Sequence, residues 1–74
     1  MKRERYDRFK YLAEKRVTKA LKDIRLIGNL SNSSNYSYEP EDVAKIYRTL
    51  KRSLEDMKRR FDSNGRADQD TFKL

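Results

Sequence analysis

Apolar residues in the first part of the chain recur at helical spacing. Tyr6, Phe9, Ala13, Val17, Ala20, Ile24 and Ile27 follow one another at steps of three and four. On an α-helix these fall on one face, with Leu12 and Leu21 widening it on either side. From about Lys2 to Ile27 no Gly or Pro interrupts the pattern, and strong helix formers dominate. A first helix over about residues 2–27 is therefore predicted, roughly 39 Å long at ~1.5 Å per residue. Gly28 directly follows Ile27 and is the expected C′ residue, taking the left-handed conformation that stops a helix.

A second periodic run begins at Pro40. Proline suits a first helical position, because its missing N–H would be unpaired there anyway. Glu41 and Asp42 then place negative charge in the first turn, where the helix dipole favours it. Glu39 falls at the cap position, a weaker choice than Ser, Thr, Asp or Asn. Val43, Tyr47, Leu50, Leu54, Met57 and Phe61 alternate steps of four and three, with Ile46 at the edge. This heptad-like seam predicts a helix over about 40–62 whose period suits packing against another helix.

Between the two runs, residues 28–39 form a polar loop longer than most helix-to-helix connections. From Ile27 to Tyr38 it has no Lys, Arg, Asp or Glu. One reading is a packed corner, in which Asn and Ser side chains bond the loop's own backbone while Leu30 and Tyr36 tuck against the helix ends. The other turns Asn29, Asn32, Asn35, Tyr36 and Tyr38 outward as a recognition element, since amides beside aromatics suit unpaired bases or a protein epitope. Beyond the second helix, Asp62-Ser63-Asn64-Gly65 reads as a stop. Residues 63–74 are expected to be a flexible tail, with Phe72 and Leu74 available to dock on the helices or on a partner.

The expected fold is all-α, a single domain over 1–62 built as a two-helix antiparallel hairpin. Two helices cannot cover both apolar stripes, and at ~25 cal/mol per Å² their mutual burial falls short of the ordering entropy. The hairpin is therefore expected to be completed as a four-helix bundle by dimerisation, or by docking on a larger protein.

Charge sharpens this picture. The chain carries 19 Lys and Arg against 12 Asp and Glu, a net charge of +7, which points to an anionic partner. Ten basic and four acidic residues lie before Gly28, so +6 of that charge sits in the first segment. Arg8, Lys15, Lys19 and Lys22 gather on the face turned away from the apolar stripe, with Tyr11 on the same outer side and Leu26 beside its C-terminal end. That face is the expected phosphate contact. The second helix adds Lys45, Arg48, Arg52 and Arg59 on its outer face. There the pairs Glu41–Lys45, Lys51–Glu55, Arg52–Asp56, Glu55–Arg59 and Asp56–Arg60 are expected to form along the surface at i,i+4.

Composition also removes chemistry. With no Cys and no His there is no disulfide, thiolate or zinc site built on them, and no histidine base. No Gly-rich phosphate loop, nucleophile elbow or metal-ligand spacing is present, so neither catalysis, metal, cofactor nor a small-molecule substrate is expected. The basic N-terminus lacks an apolar run behind it, and no stretch reaches the ~18 apolar residues of a membrane span, so a cytoplasmic chain with no membrane partner is expected.

The run from Arg16 to Tyr38, RVTKALKDIRLIGNLSNSSNYSY, with the Val-Ala-x-Ile helix after it, resembles a segment of small uncharacterised bacterial helical-hairpin proteins over about residues 16–62. That resemblance implies a fold and transfers no activity. The architecture is also similar to plasmid-type RNA-binding hairpins that dimerise into four-helix bundles, an analogy of fold alone. Two functions follow as expectations. The first is a small non-enzymatic protein binding DNA or RNA through the first helix, as a homodimer in bundle form. The alternative is a protein-interaction module (an adaptor, an inhibitor, or an accessory subunit of a ribonucleoprotein or mobile-element system) using its apolar stripe or polar loop.

Overall fold

A computed structural model describes residues 2–64 of the chain. Expectations about the tail, including docking by Phe72 and Leu74, fall mostly outside the described residues. The architecture is all-α: α1 spans Lys2–Asn29 and α2 spans Pro40–Asp62. The chain divides after Ser37, leaving α1 and the turns behind it in one unit and α2 in the other.

α1 runs past its expected end. Gly28 is helical and the helix closes at Asn29. Gly28 therefore is not the left-handed C′ residue, and the loop begins two residues later than residue 28. The reason lies in the backbone. Leu30 N–H donates to the Ile27 carbonyl at 3.0 Å, Ser31 N–H to Gly28 at 3.0 Å, and Asn32 N–H to Asn29 at 3.3 Å. These three successive i,i+3 bonds tighten the last turn and satisfy carbonyls that a left-handed glycine would otherwise have served.

α2 begins where Pro40 places it. Glu39, the N-cap, is extended at φ −102° and ψ 154°. The Asp42 carboxylate reaches back three residues and accepts the Glu39 N–H at 2.9 Å, while Asp42 N–H donates to the Glu39 carbonyl at 2.9 Å. The cap thus depends on Asp42 as well as on Glu39, in the manner of a capping box. At the far end Ser63 N–H donates to the Arg59 carbonyl at 2.9 Å and Asn64 N–H to the Phe61 carbonyl at 3.1 Å. Asn64 carries the stop at φ 60°, in the left-handed region that Asn tolerates better than most residues. Arg59 and Arg60 lie in this last turn, where positive charge complements the helix dipole.

Among the described residues none is buried. Leu12, Ala13 and Ile27 of α1 and Leu50 of α2 are half-buried, while Tyr47 and Phe61 of the heptad seam are 64% and 60% exposed. Each helix satisfies its own backbone and leaves most large side chains of its apolar stripe exposed.

Gly28 offers a test of how α1 ends. A Cβ added there meets nothing within 4 Å. Gly28→Ala should raise helix stability by about 0.5–1 kcal/mol, because Ala loses less backbone entropy in a helix interior. The measurement is thermal melting followed by circular dichroism. A fall in melting temperature would mean that Gly28 caps the helix in a left-handed conformation.

Candidate nucleic-acid interface

The basic face of α1 is built by helical spacing alone. Arg8, Lys15, Lys19 and Lys22 lie on exposed turns, and at ~1.5 Å per residue the set extends about 21 Å along the axis. Their environments differ. Lys19 Nζ lies 3.0 Å from Asp23 Oδ2 in an exposed i,i+4 pair. Lys15 Nζ sits 5.4 Å from the centroid of the Tyr11 ring, within cation–π range. Among the described residues Arg8, Lys15 and Lys22 have no carboxylate partner. A shallow depression lined by Glu14, Lys15, Thr18, Lys19 and Lys22 lies along this part of the helix. A second aromatic–ammonium pair, Tyr6 with Lys10 at 5.4 Å, holds the N-terminal turns and lies away from this face.

The charges of α2 are arranged differently. Arg59 pairs with Asp56 three residues earlier, and Lys58 bonds both oxygens of Asp62, at 3.0 and 3.1 Å. Asp56 therefore does not form the expected i,i+4 pairs with Arg52 and Arg60. Nor is Lys45 paired with Glu41 among the described residues. An exposed pair is worth only about 0.3–0.5 kcal/mol, so local rotamers decide which of several carboxylates a cation meets. Lys45, Arg48 and Arg52 have no ion-pair partner among the described residues, whereas Arg59 does.

The five loop candidates separate into distinct roles. Asn29 belongs to α1 and is its last residue. Asn32 organises the turns: its Oδ1 accepts Ser34 N–H at 3.0 Å, and its backbone carbonyl accepts Asn35 N–H and Tyr36 N–H, both at 3.0 Å. This is the self-bonding of an Asx turn, and it engages Asn32 locally. The packed-corner reading has Leu30 and Tyr36 tucked against the helix ends, yet they are 47% and 50% exposed, and Tyr38 is exposed as well. A corner closed by its own backbone bonds has no need of those side chains as packing.

Two roles that matter here are not read from the sequence, in which Asp42 is placed only as a first-turn acid. Asp42 acts as a back-bonding cap, a role signalled by an acid three positions after the cap residue. Thr18 lines the depression between the lysines. Among the described residues no group of His, Cys, Asp and Glu is arranged to hold a metal ion, and no helix is long and apolar enough to cross a membrane.

Removing the Asn32 side chain should loosen the turns without touching the helices. Asn32→Ala is expected to speed hydrogen exchange at the Ser34 amide several-fold while leaving the helical circular dichroism signal unchanged. Unaltered exchange at Ser34 would mean that the Oδ1 bond does not hold the turn.

No family model, no curated protein and no solved structure matches the chain.

Proposed function

We propose that this chain is a small, non-enzymatic nucleic-acid-binding protein that contacts phosphates through the outer face of α1 and works in the cytoplasm. The observation that carries the reading is the unequal charge of the two helices: ten basic and four acidic residues lie before Gly28, against seven basic and five acidic from Pro40 to Asp62. On the outer face of α1 Lys19 is paired with Asp23, and Arg8, Lys15 and Lys22 have no carboxylate partner among the described residues. Unpaired cations on one exposed helix face create a local positive field whose natural complement is a polyanion. Lys45, Arg48 and Arg52 add to that field on α2.

In the same proposal the helices pair through their apolar stripes as an antiparallel hairpin, and a second copy completes a four-helix bundle. The support is the exposure of the heptad seam: a helix with Tyr47, Leu54 and Phe61 open to water gains stability only when another apolar surface covers it. That same exposure favours the second reading, a module that docks its stripe on a larger protein. The discriminating measurement is size-exclusion chromatography with light scattering, with and without a pool of DNA and RNA. A folded dimer that shifts with nucleic acid supports the first reading. A poorly helical monomer that ignores nucleic acid and gains helix on adding a protein partner supports the second.

The phosphate contacts have a quantitative signature. The slope of log affinity against log salt should fall by about one for each of Lys15→Gln and Lys22→Gln. Lys58→Gln, at a cation already paired with Asp62, should leave it nearly unchanged. Equal slopes for all three variants would remove α1 as the phosphate contact. Separately, Leu54→Asp should place a charge in the seam and convert a dimer to a monomer of lower helix content in the same light-scattering experiment. A dimer that persists would place the association surface elsewhere.

A further inference from the structure

Tyr11 is the aromatic residue that packing does not explain. Of the aromatics in the two helices, Tyr6 and Phe9 lie on the apolar stripe of α1, and Tyr47 and Phe61 lie on the seam of α2. Tyr11 alone among them projects from the opposite side of α1, amid the cations, and is 60% exposed. It contributes nothing to an apolar face there, and its helix propensity is below that of Leu, Lys or Arg.

The extension of α1 through Gly28 adds a second observation. Because the helix continues to Asn29, that residue is placed by helical geometry and not by the loop. Eighteen residues separate Tyr11 from Asn29, which is five full turns at ~3.6 residues per turn. The two side chains therefore leave the helix in the same direction, about 27 Å apart along the axis at ~1.5 Å per residue. Lys15, Thr18 and Lys22 lie between them at i+4, i+7 and i+11 from Tyr11, within about 60° of one meridian at ~100° per residue. Among the described residues the Asn29 side-chain amide makes no hydrogen bond. The result is one straight row: an aromatic ring, an ammonium, a hydroxyl, a second ammonium and an unengaged amide.

We propose that this row binds a single strand of nucleic acid with unpaired bases, Tyr11 stacking on one base and Asn29 bonding the edge of another. This rests on the reading of α1 as a phosphate-contacting face and specifies its ligand. A duplex presents phosphates, but its base faces are already stacked on one another and offer nothing to an exposed ring. An unpaired base offers its face at no cost in broken pairs. Lys15 lies over the Tyr11 ring, which leaves the ring's other side for a base and the ammonium close to the adjoining phosphate. Lys22 meets a phosphate further along the strand. The Asn29 amide, with both donors and an acceptor, suits the mixed hydrogen-bonding edge of a base that has no pairing partner.

The test compares fluorescence anisotropy titrations of labelled mixed-sequence 12-nucleotide RNA, the same sequence as DNA, and a DNA duplex of that length, at low salt. The protein should bind both single strands more tightly than the duplex. Tyr11→Leu should weaken single-strand binding by about five- to 150-fold, the range for loss of one stacked base. It should leave duplex binding unchanged, while Tyr11→Phe, which keeps the ring, retains single-strand affinity. A loss seen only with RNA, or only with DNA, names that strand as the ligand; a loss with both assigns the ring to the base itself. Circular dichroism checks that helix content is unaltered, as expected for an exposed position. Equal weakening of single strand and duplex by Tyr11→Leu, or no weakening of either, overturns the stacking role while leaving the phosphate face intact. Failure of the unsubstituted protein to bind any of the three removes the phosphate face and the stacking role together.

Discussion

Backbone hydrogen bonding internal to each helix is the constraint on which the described structure depends. With no described side chain buried, apolar packing does not dictate where the elements begin and end. That task falls to the ladder of i,i+4 bonds and to the residues that close it. Helices of 28 and 23 residues are long enough for propagation to outweigh the unfavourable nucleus. Their ends are then finished by short-range devices: i,i+3 bonds after Ile27, the Asp42 carboxylate at the start of α2, and Asn64 in the left-handed region after Asp62.

That arrangement leaves large apolar side chains of both helices exposed. The apolar stripes await a covering surface, and the proposed hairpin and bundle would supply one. Both helices pair some of their cations, Lys19 with Asp23 on α1 and Lys58 and Arg59 with Asp62 and Asp56 on α2, yet the residues before Gly28 keep +6 against +2 for α2. In the proposed function these differences divide the labour: association through the apolar side, anion contact through α1. Exposed ion pairs of this type add little stability, so their larger effect is on the field that an approaching polyanion meets.

The polar stretch between the helices holds itself. Asn32 uses both its side-chain oxygen and its carbonyl on neighbouring N–H groups, which makes it a turn residue. Asn29 moves in the other direction, from the loop onto a helix face in line with Tyr11. A continuous α1 thereby changes which amide accompanies the cations.

The amino-acid sequence by itself determined the two helices, their stripes and the distribution of charge. Those follow from residue type repeated at a fixed spacing, and helical geometry converts spacing into direction without further information. The start of α2 was legible too, because Pro40 and the acids behind it each favour a helix N-terminus for a local physical reason. What only the tertiary structure decided was how the chain resolves competing local options. Gly28 suits either a helix interior or a left-handed cap, and the outcome depends on which N–H groups reach the carbonyls of Ile27, Gly28 and Asn29. Asp56 has several cations within reach and takes Arg59, a choice among nearly equal rotamers that spacing does not rank. Leu30 and Tyr36 had the composition to pack inward, but the Asx turn at Asn32 closes the corner without them and leaves them in water.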